Sequence, residues 1–280
     1  MVSCEHCRNE FRLKNFVFQH DTPRAYIQFQ FGYVKLYLIW RIIWALYHTA
    51  MIIYTGIRVD VWAGEDTSQH IKWFIFLTDW AYLILTVSTI FDAAMVIYVL
   101  ARRPDIRNGI TDSLPWYMKA TWCVFNMGNV ISVTTSVAYW ALVYDGTQAM
   151  SANNIITHIV NSLYVILNIC VTGMPMRLLH FWMSSIVGVI YSLFTYIYYV
   201  SGGTNHNENP YVYPAIDWRD PGTAILYCVI ISFVAVPVVH LGLFGLHCVK
   251  MLIYRKCDCC IASAETDNST TVEMKSQYPY

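Results

Sequence analysis

Six long apolar stretches make up most of this 280-residue sequence. Each runs for about 20 residues or more, the length that an α-helix needs to cross a hydrocarbon layer roughly 30 Å thick. Lipid cannot hydrogen-bond to the backbone, so only helices and closed barrels span a membrane. We therefore predict an all-α bundle with six transmembrane spans, at residues 35–57, 73–100, 120–144, 155–174, 178–200 and 223–253.

The composition agrees with lipid as the main surroundings. Charged residues make up 13% of the chain, whereas about 25% of the residues in a soluble domain are charged. The net charge is zero, so we expect no nucleic-acid partner. We predict a cytoplasmic segment at 1–34, a transmembrane domain at 35–253 and a Cys-rich cytoplasmic tail at 254–280, whose polar end is expected to be disordered.

The positions of Lys and Arg predict the orientation. Fourteen of these residues lie in the two terminal segments and in the loops after the second and fourth spans, against three in the other loops. Because basic residues concentrate on the cytoplasmic side, we expect both termini to be cytoplasmic. Loops 58–72, 145–154 and 201–222 then lie on the outer face. We expect an integral protein of the plasma membrane, with the endoplasmic reticulum as the alternative.

An outer polar layer follows from this topology, made of Thr78, Asp79, His158 and Asn161. Thr78 and Asp79 lie roughly 8 to 9 Å below the outer end of the second span, at 1.5 Å per residue. His158 lies about 5 Å below the outer end of the fourth span, and Asn161 is one turn deeper on the same face. Ionisable residues inside a membrane are by default candidates for a functional site.

Two interpretations of the outer layer stay open. In the first, these side chains only hydrogen-bond to one another or to carbonyls between helices. In the second, they form a catalytic site, because a threonine hydroxyl becomes a nucleophile when an oriented imidazole takes its proton. Thr78 would then be the nucleophile, His158 the general base, and Asn161 or Asp79 the orienting group.

An inner polar layer lies nearer the cytoplasmic face and contains Arg41, Asp92, Asn126, Asn129 and His240. An unpaired charge in lipid is costly, so we predict an ion pair between Arg41 and Asp92. The layer is interpreted either as structural contact between helices or as a relay for protons or ions. The relay would suit a channel or transporter. However, the sequence shows no inverted repeat of the kind that is typical of many transporters.

Three motifs carry a family resemblance. They are WRxxxxLY from Trp40 to Tyr47, FIFLTDW from Phe74 to Trp80, and NxxxHxxN from Asn154 to Asn161. The pattern resembles the rolling stone family of multi-pass membrane proteins over nearly the whole chain. This resemblance implies a role in the fusion of myoblasts during muscle formation, or in related cell–cell fusion in development.

The chain is also distantly similar to the androgen-induced and androgen-dependent membrane hydrolases. Those enzymes use an intramembrane Thr and His to hydrolyse fatty acid esters of hydroxy fatty acids. Their nucleophile lies in a K-Y-L-T-F-like stretch, which Lys72, Leu77 and Thr78 match here with Lys72 displaced towards the N-terminus. His158 is the counterpart of the base. The similarity implies a lipid ester as substrate, and we expect membrane lipids as partners. The sequence identifies no protein partner.

Three cysteines follow the last span, Cys257, Cys259 and Cys260. They are candidates for S-palmitoylation because juxtamembrane cysteines are typical sites of this modification. Zinc binding together with the N-terminal CEHC motif is the alternative, but we predict no metal and no cofactor.

The loop at 201–222 is long and rich in Gly, Asn, Pro and aromatic residues. It is interpreted as an ordered cap over the outer layer, as a recognition surface, or as an interfacial loop. Its Trp and Tyr content favours a cap or an interfacial loop.

Overall fold

The computed structural model describes residues 10–12, 15–57, 67–144, 146 and 151–276, and the side chains of 67–68 and 257–276 fall outside that description. This part of the chain is helical and contains no β-strand, so the predicted all-α class is confirmed. Its long helices are α1 (Val34–Ile57), α2 (Leu77–Arg102), α3 (Trp116–Ala138), α4 (Ala152–Val171), α5 (Leu178–Val200) and α6 (Pro221–Lys256).

Five of these helices, all but α3, are long and apolar enough to cross a membrane. α3 coincides with the predicted third span, but its buried face carries Asn126, Asn129 and Ser132, which lower its hydropathy. It packs against α2, α4 and α5 in the centre of the bundle. Gly128 permits the close approach to α2, since a Cβ there would lie 3.1 Å from the Cα of Leu85. The chain is a helical membrane protein.

α1 is polar on the inside and apolar on the outside. Its four buried residues are Tyr37, Arg41, His48 and Thr55, whereas large aliphatic side chains project outward along its length. In water this arrangement would be unfavourable. In a membrane the aliphatic side chains face acyl chains, and the polar ones find partners inside the protein.

α6 departs from regular α-helical geometry at Ile231–Ala235, a π-helical turn directly before Pro237. Proline lacks an N–H and clashes with the preceding turn, and a widened turn accommodates it. The helical backbone continues to Ser276, through the tail for which the composition predicts disorder. Extending an existing helix avoids the cost of nucleation, which accounts for this difference.

The N-terminal segment 15–33, which we call the strap, folds back over the connection between α4 and α5. A 3₁₀ turn in the strap buries Tyr26 and Ile27 completely. The backbone N–H of Gly173, in that connection, donates to the carbonyl of Gln28 at 3.0 Å. The strap therefore closes the end of the bundle where α1, α3 and α5 begin. We call this the strap end, and the opposite end the far end.

Candidate functional site

A cavity of about 330 Å³ lies at the far end, between the first turns of α2 and α4 and the end of α3. Thr78, Asp79 and His158 all line it, so three members of the predicted outer layer come together. Asn161, the fourth member, is buried in α4 and does not line the cavity. The topology predicted from the positions of Lys and Arg thus placed residues from distant parts of the sequence at the same end of the bundle.

His158 is held by an aromatic stack. Its ring centroid lies 3.9 Å from that of Tyr139, and the two planes differ by 6°. Both residues belong to π-helical turns, Tyr139–Val143 after α3 and Ile155–Val160 within α4. Such turns are frequent at functional sites. The Nδ1 atom of His158 is buried and has no hydrogen-bond partner in the described structure, so stacking is what orients the ring.

Thr78 and Asp79 occupy the first turn of α2, beside Tyr213. The N–H of Leu77 donates to the Tyr213 hydroxyl at 3.1 Å, and burial together with the charge of Asp79 raises the pKa of Tyr213 to about 12. Among the described side chains, no hydrogen bond joins Thr78 to His158. The nucleophile and base of the catalytic interpretation therefore share a cavity without being hydrogen-bonded, although such contacts often tighten only when substrate binds.

A smaller, mainly apolar cavity of about 90 Å³ adjoins the first one. The two share Thr78, Tyr139, Val143 and Tyr213 as wall residues. Together they place a hydroxyl, an imidazole and a carboxylate beside an apolar surface, which suits a molecule with one polar and one apolar part. No group of three or more metal-ligating side chains comes together in the described part of the chain.

The loop at 203–216 covers the far-end cavity, and its residues His206 and Tyr213 line the wall. Lys72, which precedes α2, anchors this loop through an ion pair of 2.9 Å with Glu208. Of the three interpretations of this loop, the ordered cap is the one that agrees with the structure.

The cap should loosen in acid. Hydrogen bonds from Lys72, Thr204 and Gln69 lower the pKa of Glu208 to about 2, from an ordinary value of 4.5. A lowered folded-state pKa stabilises the cap above pH 4.5, and this contribution is lost as the pH falls towards 2. We expect lower hydrogen-exchange protection factors, which are corrected for the intrinsic rate at each pH, in residues 203–216 at pH 3 than at pH 6.

In Glu208→Gln the cap should have low protection factors at both pH values, and this separates Glu208 from other acidic groups. Asp105→Asn is the matched control, because Asp105 pairs with Arg103 at 2.6 Å in the connection between α2 and α3. Equal protection factors of the wild-type cap at both pH values would contradict the prediction.

The ion pair predicted for the inner layer is confirmed. The Nη1 atom of Arg41 lies 3.0 Å from Oδ2 of Asp92, and each side chain is 1% exposed. Nη1 also donates to Oδ1 of Asn168 at 2.9 Å, while Nη2 donates to the hydroxyls of Thr172, at 3.2 Å, and Tyr37. The contact with Asp92 is not aligned as a hydrogen bond, so charge attraction dominates it.

The other three predicted members of the inner layer make no hydrogen bond to this ion pair in the described structure. Nδ2 of Asn126 lies 3.5 Å from Nδ1 of His180. Nε2 of His240 lies 2.9 Å from the carbonyl of Arg177 at the strap end. The side-chain amide of Asn129 is buried and has no partner among the described residues. The predicted layer is thus divided into separate groups.

His48 is a buried polar residue that the sequence analysis missed. It is 0% exposed, and neither ring nitrogen has a hydrogen-bond partner in the described structure. Its ring centroid lies 4.7 Å from that of Tyr164 and 5.8 Å from that of Tyr82. The signal that would have found it is spacing, since seven residues separate His48 from both Arg41 and Thr55, which puts all three on one helix face.

Comparison with known proteins agrees with these features. The family model described as "Protein rolling stone" matches residues 2–265. Protein rolling stone of Drosophila melanogaster is 27% identical over 263 residues, which cover 90% of this chain and 92% of that protein. No solved structure matches the chain. Because the family model covers all six helices and the far-end cavity, this chain belongs to the rolling stone family.

Proposed function

We propose that this protein acts in the fusion of myoblasts, or in related cell–cell fusion during development, as a multi-pass protein of the plasma membrane. Membership of the rolling stone family over nearly the whole chain is the observation that carries the proposal. The outward-facing aliphatic side chains of the helices support the membrane setting.

All six helices cross the membrane in this proposal, and both termini are cytoplasmic. α3 has 23 residues, which correspond to roughly 35 Å at 1.5 Å per residue. The excess of Lys and Arg at the strap end supports a cytoplasmic location for that end. The side chains of Cys257, Cys259 and Cys260 lie outside the described residues, and their lipidation stays a prediction that fits a cytoplasmic end of α6.

The protein would act through its bundle and its tails. In the described part of the chain the connections between helices are short, and the long loop at 203–216 packs against its own bundle. This arrangement favours a protein that modifies the local membrane or organises partners over one that merges two membranes by itself.

A rescue assay tests this role. In myoblasts that lack the endogenous protein, wild type should restore the formation of multinucleate cells. Thr78→Ala and His158→Ala should restore it too, because an organising role needs no nucleophile. Removal of residues 257–280 should reduce rescue while surface staining stays normal. Wild-type protein that reaches the surface without restoring fusion would refute the proposal.

The second candidate is an intramembrane hydrolase of lipid esters. The observation that favours it is the shared cavity, in which Thr78, Asp79 and His158 lie beside an apolar wall. Thr78 would attack the ester carbonyl and His158 would take the hydroxyl proton. Asp79 would stabilise the protonated imidazole, and Asn161 would act only through the packing of α4.

Covalent labelling distinguishes the two candidates. A hydrolase should react with a serine- and threonine-directed fluorophosphonate, and both Thr78→Ala and His158→Ala should abolish the label. Thr49→Ala is the matched control, because the Thr49 hydroxyl only donates to the carbonyl of Ala45 on its own helix. Absence of labelling in well-expressed wild type would leave the organising role as the explanation.

A further inference from the structure

Asp79 is a buried carboxylate without a counter-charge. It is 8% exposed and lines the far-end cavity. No ion pair joins it to a Lys, Arg or His in the described part of the chain, where Arg41 pairs with Asp92 and Lys72 pairs with Glu208. A buried charge of this kind is costly in a membrane. The cavity therefore suits a ligand that brings a positive charge.

Aromatic rings form much of the cavity wall. They belong to Trp73, Phe76, Tyr139 and Tyr213. The ring of Phe76 lies 5.8 Å from that of Tyr213 at an angle of 61°, and 6.0 Å from that of His206 at an angle of 56°. Rings at such angles form the corner of a box and not a closed stack. The faces of aromatic rings attract cations, and a box of rings is the usual site for a quaternary ammonium group.

A groove on the outside of the bundle reaches the same carboxylate. It has a volume of about 430 Å³ and lies along α2, with Phe194 of α5 on its other side. Trp73 and Asp79 line both the groove and the cavity. From Asp79 the groove continues along α2 to Leu83 and Ile84, roughly 6 to 8 Å at 1.5 Å per residue. Leu83 is 46% exposed, so an acyl chain of the membrane can contact the groove from the side.

We propose that the far-end cavity binds the quaternary ammonium head group of a choline lipid, which enters from the bilayer along α2. The ammonium lies against Asp79 inside the aromatic wall, and one acyl chain lies in the groove beside Leu83 and Ile84. The cavity volume of about 330 Å³ falls in the range of small-molecule sites, roughly 300 to 1,000 Å³. Binding goes beyond the proposed role in fusion, and it needs no nucleophile at Thr78.

The cavity wall favours this cation over others. A metal ion needs several ligands, and Asp79 is the only acidic side chain among the described wall residues. A primary ammonium has three N–H donors to satisfy, whereas a quaternary ammonium has none and is bound by charge and by ring faces. Ser151 and Asn153 line the same cavity and carry donors that the phosphate of the lipid can accept.

Photolabelling of the full-length protein in lipid nanodiscs tests the inference. The discs consist of phosphatidylglycerol with a trace of phosphatidylcholine whose acyl chain carries a diazirine, and mass spectrometry locates the label. Wild type should be labelled along the groove on α2 and α5. The yield should be about fivefold or more above that given by phosphatidylethanolamine with the same acyl chains, because the two lipids differ only in the ammonium group.

Three variants make the result decisive. Asp79→Asn removes the charge, keeps the shape and should reduce the phosphatidylcholine label to the phosphatidylethanolamine level. Asp220→Asn is the matched control and should leave the label unchanged, because Asp220 is an exposed carboxylate at the N-cap of α6, where Asn caps equally well. Phe76→Leu removes one ring of the cavity wall and should lower the label about threefold. It carries the test if Asp79→Asn is not monodisperse.

Equal labelling of wild type by the two lipids would overturn the inference, as would undiminished labelling of monodisperse Asp79→Asn or, in its place, Phe76→Leu. The assay requires neither fusion nor hydrolysis. A protein that restores fusion in the rescue assay without distinguishing the two lipids refutes only the inference. A protein that binds the choline lipid without restoring fusion refutes only the proposed role.

Discussion

Asp92→Ala is expected to lower the free energy of unfolding by roughly 3 to 5 kcal/mol, because it leaves a buried guanidinium without its counter-charge. Asp92 is the only carboxylate paired with Arg41 in the described structure. The remaining partners of Arg41 are neutral oxygens of Tyr37, Asn168 and Thr172. Neutral partners solvate the charge but do not cancel it, so α1 and α2 should separate or the variant should fail to accumulate.

The thermal midpoint of the purified protein in detergent measures this effect. Asp105→Ala is the matched control, since both side chains of its pair with Arg103 are partly exposed to solvent and such pairs contribute about 1 kcal/mol or less. The double variant Arg41→Met, Asp92→Leu removes both charges and should regain most of the lost stability. An Asp92→Ala midpoint no lower than that of Asp105→Ala would show that the pair is not needed.

Gly173→Ala is expected to detach the strap from the bundle. A Cβ at this position would lie 2.5 Å from the carbonyl oxygen of Ala25 and 3.0 Å from that of Gln28. Both are backbone atoms of the strap and cannot turn away as the end of a side chain can. Overpacking of this kind costs about 1 to 3 kcal/mol, which the strap avoids by moving.

Hydrogen exchange measures the detachment directly. In the variant, residues 23–30 should exchange much faster than in wild type, while α2 and α3 should keep their protection. Gly242→Ala on α6 is the matched control, because a Cβ there meets nothing within 4 Å. Unchanged protection of the strap in Gly173→Ala would mean that the contact with Gly173 does not hold it.

The positions of the charged and ionisable residues in this structure could be predicted from the sequence, because a charge has a high free energy in lipid. Arg41 and Asp92 were predicted to pair because an isolated charge is expensive in hydrocarbon. Thr78 and His158 were predicted at one level because basic residues reveal the sidedness of each span. Both arguments need only the order of the spans and the depth of each residue in the membrane. The length of the apolar stretches supplies that depth.

Other features depend on packing that no single segment encodes. The strap has no periodic apolar pattern, and its docking depends on a distant glycine that lets two backbones approach. Tyr139 and His158 stack from two π-helical turns, one after α3 and one within α4. The first turn of α2, which carries Thr78, is bound by Tyr213, which accepts a hydrogen bond from the N–H of Leu77 and comes from a loop more than 130 residues away.

The ion pair between α1 and α2 also has a consequence for how the protein is made. α1 leaves the ribosome carrying Arg41 seven residues from its start, roughly 10 Å along the helix. A long arginine side chain can reach the lipid headgroups from that depth. Its counter-charge follows 51 residues later, in the second half of α2. The hairpin of α1 and α2 is therefore the smallest piece of this protein that can leave the insertion machinery with that charge neutralised inside the bilayer.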